Sequence, residues 1–233
     1  MEAKMKIGAR KIKIYGEHAE DFFESPKFQR WLAVIKSDFE IESIREIWSF
    51  WPAPKILIFA LFNIRYIDEK GKKAQKFMFY RPDAITVFLV LKNIKTKDRF
   101  AVLVEQIRVP AGGRLLEIPA GTLDESGNPE ETAVREIWEE VGLRVKKKDL
   151  KFLGNYYLSP GNLSERVVIY GCEKNLSPKK IQRLKDSSAG LEEEGEHIRV
   201  RLVKLEDFEK LEINDAKSRL AYELYCRNSK KKH

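Results

Sequence analysis

GTLDESGNPEETAVREIWEEVGL, residues 121–143, carries the strongest structural signals in this sequence. Its middle carries the signals that begin a helix: Asn128 caps the first turn, a proline follows at the first helical position, and Glu131 stands at the third. Gly142 carries the signal that ends a helix, because glycine readily adopts the left-handed conformation found after the last turn. The sequence therefore predicts a helix over 129–141.

Three glutamates of this helix, Glu136, Glu139 and Glu140, stand three, four and one positions apart, so they lie close to one face. Like charges three or four positions apart destabilise a bare helix by about 0.2–0.5 kcal/mol per pair. A hard divalent cation offsets that cost, and Mg²⁺ prefers oxygen ligands while keeping waters that suit a phosphate substrate. Arg135 stands where it can hold one of the glutamates. A solvated helix face is the alternative, and the carboxylates alone do not decide between the two.

Length and composition restrict the rest of the molecule. A chain of 233 residues with 43% hydrophobic content can bury one domain with an extension, or two small domains. Its two cysteines, Cys172 and Cys226, form no CxxC motif or Cys/His cluster, which argues against a zinc site or a disulfide framework and favours a cytoplasmic location. The longest apolar run, Ile56–Phe62, is too short to span a bilayer, so we expect no membrane partner. The net charge of +8 helps to recruit a phosphate-bearing substrate.

Residues 1–83 form an N-terminal extension that the sequence predicts to contain a helix and a β-hairpin. From Ser25 onward, a cap, a proline and apolar residues at helical spacing predict an amphipathic helix. Aromatic and β-branched residues over Lys55–Asp68 and Lys76–Arg81 predict two strands, which the polar turn at 69–72 joins.

Residues 84–233 form the second predicted domain, in which strands and helices are mixed. Ala84–Leu91 and Phe100–Val109 are continuous apolar runs, which predicts strands buried on both faces. The further predicted elements are the 129–141 helix, strands over Phe152–Leu158, Val167–Cys172 and Ile198–Val203, and a helix over Asn214–Arg227. This order predicts an α/β fold with a mixed sheet between helices.

Read as a whole, residues 121–143 resemble the Nudix box. The first part of that pattern is a glycine, five residues of any type, a glutamate and seven residues of any type. The second part is Arg-Glu, an aliphatic residue, any residue, Glu-Glu, any residue, a glycine and an aliphatic residue. The matching positions are Gly121, Arg135, Glu136, Ile137, Glu139, Glu140, Gly142 and Leu143. Gly127 stands where the pattern has its first glutamate, and Asp124 or Glu125 is the expected substitute. The departure leaves the number of bound metals open. The resemblance implies the Nudix α/β/α sandwich and a hydrolase that depends on Mg²⁺, with Mn²⁺ as the alternative ion.

Other stretches extend the resemblance to the ADP-ribose and ADP-sugar pyrophosphatase branch of the Nudix family. LVEQIRVP, LLEIPAG, YLSPGNLSERV and INDAKSRLAYELY are similar to that branch, and GLEEEGEHIRVRLV is similar to plant-type ADP-sugar pyrophosphatases and their UDP-sugar relatives. The similarity implies a small nucleotide sugar as substrate. It also implies a homodimer, because members of the branch commonly pair through their N-terminal parts.

The resemblance assigns roles to residues of the box and of one loop. It makes Glu136 and Glu140 metal ligands, with Glu139 close by and the Ala120 carbonyl as an additional oxygen ligand. Arg135 and Glu139 are expected to assist at this centre. Glu165, in the SPGNLSE loop, stands where the branch often has a carboxylate that binds metal or deprotonates water. An ordinary loop glutamate is the alternative for that position.

The remaining candidates are substrate-binding residues. Gln106 and Arg108 alternate on a strand and share a face, Glu117 follows on the neighbouring segment, and the planar fork of Arg108 suits a diphosphate. A structural use is the alternative for all three. Trp48 and Trp51 are candidates for stacking on a nucleotide base, with core packing as the alternative.

These observations favour hydrolysis of a nucleoside diphosphate sugar of the ADP-ribose or ADP-glucose class to a nucleoside monophosphate and a sugar phosphate. A hydrolase of dinucleotides such as NADH, or of capped RNA, is a second hypothesis. We expect no nucleic-acid partner, however, because the sequence shows no aromatic-and-basic RNA-binding module. A third hypothesis is a catalytically silent nucleotide-binding regulator, since a fold does not guarantee an activity.

Overall fold

The computed structural model describes residues 2–7, 10–53, 56–123, 127–185, 187–189 and 198–230. They form two compact units. The first contains the described chain up to Asp83 together with Ser159–Glu165, and the second contains the rest. Over the described residues, no helix is both long enough and apolar enough to cross a membrane.

The first unit is one five-stranded sheet with two helices. Its elements are β1 (Glu2–Ile7), β2 (Arg10–Tyr15), α1 (Ala19–Glu24), α2 (Pro26–Asp38), β3 (Glu40–Phe50), β4 (Phe59–Ile67) and β5 (Lys73–Tyr80). The strands lie in chain order, and all neighbours are antiparallel except β2 and β3. That parallel pair requires a crossover, which α1 and α2 supply.

An aromatic core joins the two helices to this sheet. Phe22 and Phe28 from the helices pack against Phe62 and Tyr80 from the strands, and all four are almost fully buried. Ser25 caps α2, as predicted, and its hydroxyl also contacts the Tyr80 hydroxyl at 3.1 Å. The unit is larger than the predicted helix and hairpin, because α1, β1, β2 and β3 were not predicted.

The second unit is built on a larger mixed sheet. Its elements are β6 (Ala84–Asn93), β7 (Arg99–Arg108), β8 (Gly113–Glu117), β9 (Ala120–Thr122), α3 (Pro129–Val141), β10 (Leu150–Tyr157), β11 (Arg166–Leu176), α4 (Pro178–Leu184), β12 (Ser188–Ala189), β13 (Ile198–Lys204) and α5 (Ala216–Lys230). The sheet order is β10-β11-β6-β7-β13-β12, and only β11 and β6 are parallel. β7 ends one residue before the predicted strand, since Val109 begins a short 3-10 helix.

Two hydrophobic clusters cover the two faces of this sheet. On one face, α3 and α4 pack through residues such as Ile137 and Ile181. On the other face, α5 packs through residues such as Tyr222, together with Phe208 from a 3-10 helix. The second unit is therefore the α/β/α sandwich that the sequence predicted, and β6 and β7 are buried on both faces at its centre.

The central strands β6 and β7 pair only near the turn that joins them. Their pairing covers only Val90–Lys92 of β6. Farther from the turn, β6 pairs with β9 and β7 pairs with β8. The segment 113–122 thereby occupies the gap between the two strands. This arrangement brings the backbone of β9 to the face of the sheet that α3 covers, because Gly121 lies opposite Ile85, a member of the α3 cluster.

Replacing Leu32 tests the core of the first unit, and Val34 on the same helix is the matched control. Leu32 is 3% exposed, whereas Val34 is 68% exposed. We expect Leu32→Ala to lower the free energy of unfolding by about 2–5 kcal/mol, because a cavity remains. Val34→Ala should change it by less than about 0.5 kcal/mol. Urea unfolding followed by tryptophan fluorescence measures both, and equal effects would contradict this packing.

Candidate active site

The helix α3 begins and ends where its sequence signals predict. The Asn128 side chain accepts a hydrogen bond from the Glu130 amide at 2.9 Å, and Pro129 is the first helical residue. At the other end, Gly142 has a φ of 70°, and its amide donates to the Trp138 carbonyl. Because Ile137 and its neighbours one turn away are buried against the sheet, the position of the whole helix is fixed.

Two carboxylates of α3 lie against the backbone of β9. Glu140 is only 4% exposed, and its Oε2 accepts a hydrogen bond from the Ala120 amide at 3.0 Å. Glu136 lies so close to Gly121 that a Cβ added there would come within 2.0 Å of its Oε1. The absence of a side chain at Gly121 therefore makes room for one carboxylate, and the amide of Ala120 holds the other.

Arg135 joins the remaining carboxylate to this pair. Its Nη2 lies 2.6 Å from Oε1 of Glu136, and its Nη1 lies 2.5 Å from Oε2 of Glu139. Burial alone lowers the pKa of the Arg135 guanidinium, but the two glutamates outweigh it, so the pKa is raised. The sequence placed Arg135 where it could hold one glutamate, and the structure gives it two.

The donor set is chemically suited to a hard divalent cation. Glu136, Glu139 and Glu140 offer carboxylate oxygens on neighbouring turns of one helix, and Mg²⁺ and Mn²⁺ prefer such ligands. Within the described ranges, no three Asp, Glu, His or Cys side chains are grouped as a ready metal site. The metal-ligand roles of these glutamates and of the Ala120 carbonyl stay predictions. Asp124 and Glu125, the expected substitutes for the missing box glutamate, lie outside the described residues.

Arg108, Gln106 and Glu117 share one face of the sheet, as the strand alternation predicted. Val102 lies on β7 an even number of residues before Gln106 and Arg108, so its side chain points to the same face. Val102 belongs to the hydrophobic cluster that includes Ile137 of α3, so this is the face that α3 covers. Glu117 pairs with Val104 across β8 and β7, which places it on the same face. Gln106 is 7% exposed and Glu117 only 2%, whereas the Arg108 side chain is 41% exposed.

Arg108 and Glu117 form a two-pronged ion pair. Nε of Arg108 lies 2.7 Å from Oε1 of Glu117, and Nη2 lies 3.1 Å from Oε2. Burial raises the pKa of the Glu117 carboxyl, but the hydrogen bond from Arg108 and the charge of Lys217 outweigh this effect, so the pKa is lowered. Glu117 is thus a buried anion in contact with Arg108, and its predicted substrate-binding role stays a prediction.

Three residues near the start of α5 complete this charged network, and no role was predicted for any of them. Nζ of Lys217 lies 2.5 Å from Glu117 and 2.9 Å from Asp215. Asp215 accepts hydrogen bonds from the amide and the hydroxyl of Ser218, and that hydroxyl accepts one from the Ile118 amide. The spacing of Asp215 and Ser218 is a helix-capping signal, but nothing local indicates a partner 100 positions away.

Glu165 lies in the first unit, in a loop that pairs with β5. The amide of Phe79 donates to the Asn162 carbonyl, and the amide of Ser164 donates to the Phe79 carbonyl. The Glu165 side chain is 14% exposed and lies 3.5 Å from the Arg81 guanidinium. It is therefore an ordered, ion-paired carboxylate, and its predicted catalytic role stays a prediction.

The two candidate tryptophans have different surroundings. Trp51 packs against the core of the first unit: it stacks on His18 at 5.0 Å, and its Nε1 donates to Ser49. Core packing, the alternative reading, describes this residue. Trp48 is 55% exposed and stacks with Phe50 at 6.3 Å, so it is the one whose ring is open to a partner.

Much of the chain is similar to known proteins. Residues 82–224 match the NUDIX domain. The chain is 36% identical over 145 residues to "Nudix hydrolase 14, chloroplastic" of Arabidopsis thaliana, covering 58% of this chain and 46% of that protein. It is 35% identical over 155 residues to an ADP-ribose pyrophosphatase of Bacillus subtilis, covering 65% of this chain and 76% of that protein.

A solved structure of an ADP compounds hydrolase shares the fold. It superposes with a TM-score of 0.58 at 17% sequence identity, and the match covers 84% of this chain and 96% of that chain. Against the Arabidopsis protein, the matched region spans less than half of the relative's length.

Replacing Gly121 tests the contact between α3 and β9. We expect Gly121→Ala to weaken Mn²⁺ binding about 10- to 100-fold, because the new Cβ would occupy the space of the Glu136 carboxylate. Gly113→Ala is the matched control, since a Cβ there meets nothing within 4 Å. Titration of Mn²⁺ followed by electron paramagnetic resonance measures both affinities. Binding by Gly121→Ala as tight as that of the unmodified chain would contradict the assignment.

Proposed function

Because the chain belongs to the Nudix family, we propose that it hydrolyses the pyrophosphate bond of a nucleoside diphosphate sugar. The products are a nucleoside monophosphate and a sugar phosphate. Substrates of the ADP-ribose or ADP-glucose class fit best. The carboxylates of α3 at the β9 backbone are the observation on which the proposal rests, because hydrolysis of a diphosphate needs a centre for divalent cations.

Glu136 and Glu140 would hold Mg²⁺, or Mn²⁺ in its place, with Glu139 and the Ala120 carbonyl close by. The bound ion would supply charge neutralisation at the diphosphate and a more acidic water. Arg135 bridges Glu136 and Glu139 and keeps their oxygens directed to one side of the helix. The Ala120 amide does the same for Glu140, so the protein orders its ligands in advance.

Residues outside α3 would handle the substrate and the attacking water. The Arg108 side chain is 41% exposed on the face that α3 covers, where its guanidinium would bind the diphosphate and neutralise charge on the leaving phosphate. Gln106 lies on the same face and would assist it. Glu165 would accept a proton from water or bind metal, and its ion pair with Arg81 supports this role by holding the carboxylate in place.

The choice of substrate rests on the names of relatives and on the sequence motifs. The Bacillus subtilis relative is an ADP-ribose pyrophosphatase, and this chain covers 76% of it. Dinucleotides such as NADH and capped RNA are the alternative substrates. A catalytically silent regulator is the alternative in another class, and the presence of Glu136, Glu139 and Glu140 argues against it.

We propose in addition that the first unit mediates a homodimer. The face of its sheet opposite the helices carries a row of exposed or half-exposed aromatic rings: Trp48, Phe50, Phe59, Phe77 and Phe79. An antiparallel sheet normally presents polar side chains to water on its open face, and apolar patches of this kind mark contact surfaces. The ring of Trp48 would be able to stack on a nucleotide base at the same surface.

A cytoplasmic location is part of the proposal. Both cysteines are free thiols, Cys172 buried and Cys226 half-buried, which is the state that a reducing compartment maintains. Burial raises the pKa of the Cys172 thiol to about 12, so it stays protonated and unreactive at neutral pH.

Glu140→Gln tests the metal centre. A glutamine keeps an oxygen that can accept the Ala120 amide, so we expect the fold to persist, whereas the lost charge should lower kcat/KM at least about 100-fold. Glu131→Gln, on the exposed side of the same helix, is the matched control. Phosphatase-coupled release of phosphate from ADP-ribose, ADP-glucose, UDP-glucose and NADH under Mg²⁺ measures both. Near-normal activity of Glu140→Gln would contradict the proposal.

Substitutions in the aromatic row test the dimer. We expect the double variant Trp48→Ser, Phe79→Ser to halve the mass in solution, because it removes two large rings from the contact. Val34→Ser, which alters an exposed apolar residue on α2, should leave the mass unchanged. Size-exclusion chromatography with light scattering gives the masses. A monomeric unmodified chain would exclude the dimer, and quenching of Trp48 fluorescence by ADP-ribose would then favour the base-binding role.

A further inference from the structure

A network of four charged residues, Arg108, Glu117, Lys217 and Asp215, lies at the junction of β7, β8 and the start of α5. Glu117 is its centre and is 2% exposed. An isolated carboxylate at that depth would be strongly destabilising, so it needs charged partners. Arg108 supplies one and Lys217 supplies the other, and Lys217 is itself held by Asp215.

The two oxygens of Glu117 are used unequally. Oε1 accepts the short hydrogen bond from Nε of Arg108, at 2.7 Å. Oε2 is shared: Lys217 donates to it at 2.5 Å, and Nη2 of Arg108 stands farther away at 3.1 Å. Lys217 is thus the closer of the two partners of Oε2. Of its two contacts with Glu117, the one through Nε of Arg108 is the shorter, and the Arg108 side chain is 41% exposed.

The ammonium of Lys217 is held in place by the beginning of α5. Its side chain is 15% exposed and lies between Glu117 and Asp215. The Ser218 amide and hydroxyl fix Asp215, and the Ser218 hydroxyl also binds the Ile118 amide next to Glu117. Because α5 is attached to this strand end through both the lysine and the serine, the position of Lys217 relative to Glu117 is well defined.

We propose that Lys217 is a positioning residue, which holds Oε2 of Glu117 so that Arg108 presents its guanidinium to the diphosphate of the substrate. The inference rests on the proposed function, in which Arg108 binds that diphosphate. Without Lys217, Oε2 would be left to Arg108 alone, and the guanidinium would close onto Glu117. Glu117 would then act through Arg108, without touching the substrate.

A double-mutant cycle on kcat/KM for ADP-ribose, with the full chain and Mg²⁺, tests the proposal. We expect Lys217→Met to lower kcat/KM about 10- to 100-fold, because the misplaced guanidinium meets the diphosphate poorly. In an Arg108→Met background, the same change should alter kcat/KM by less than about twofold, because the residue on which Lys217 acts is gone. Lys217→Arg, which keeps a cation between Glu117 and Asp215, should recover most of the loss.

Lys210→Met is the matched control, because it removes a surface ion pair with Asp207 just before α5 and leaves Glu117 untouched. Circular dichroism melts ensure that each variant is compared at a temperature where it is folded. An unchanged kcat/KM for Lys217→Met, or the same fold loss with and without Arg108, would overturn the proposal, since a structural role alone predicts the second result.

Calorimetric titration with adenosine 5′-(α,β-methylene)diphosphate separates this inference from the proposed function. This analogue of ADP keeps two phosphorus centres, but a methylene group replaces the oxygen between them, so it cannot be hydrolysed there and its affinity reports on Arg108 without turnover. If the unmodified chain hydrolyses none of the nucleotide sugars, the proposed function fails. The double-mutant cycle on the affinity for this analogue then decides the role of Lys217 by the same criteria: a loss only when Arg108 is present supports the role, and any other pattern contradicts it.

Discussion

The close approach of α3 to the backbone of β9 is the constraint on which the candidate site depends. Glu140 is almost fully buried against the Ala120 amide, and Glu136 occupies the space that a side chain at Gly121 would fill. Neither carboxylate could lie there if β6 and β7 stayed paired along their length, because β9 takes the place of that pairing. The split of the central strands thus prepares the position of the acidic helix.

The carboxylates in the two parts of the site in the second unit differ in their exposure and in their charged partners. On α3, one arginine stands between two partly exposed glutamates, where water and ions can reach the carboxylates. Beneath Arg108, the carboxylate of Glu117 is buried and neutralised from two sides. The first arrangement suits carboxylates that can exchange a partner for a cation. The second arrangement suits a carboxylate that holds neighbouring side chains in position.

Local signals in the sequence predicted α3 well, and they missed what depends on distant pairing. The cap at Asn128 and the glycine at 142 act within one turn, so the bounds of the helix could be predicted. β3 was missed because two register shifts break its alternation, and β8 and β9 because they are short and pair with distant strands. The role of Lys217 depends on Glu117, which lies 100 positions away, and no local pattern indicates that contact.

The location of a bound divalent ion tests directly whether the carboxylates of α3 form a metal centre. Crystals of the full chain soaked in Mn²⁺ would give an anomalous scattering peak that identifies the metal without reference to activity. We expect a peak about 2–2.5 Å from carboxylate oxygens of both Glu136 and Glu140, beside the Ala120–Gly121 backbone. A chain that hydrolyses nucleotide sugars while its Mn²⁺ lies away from α3 would contradict it.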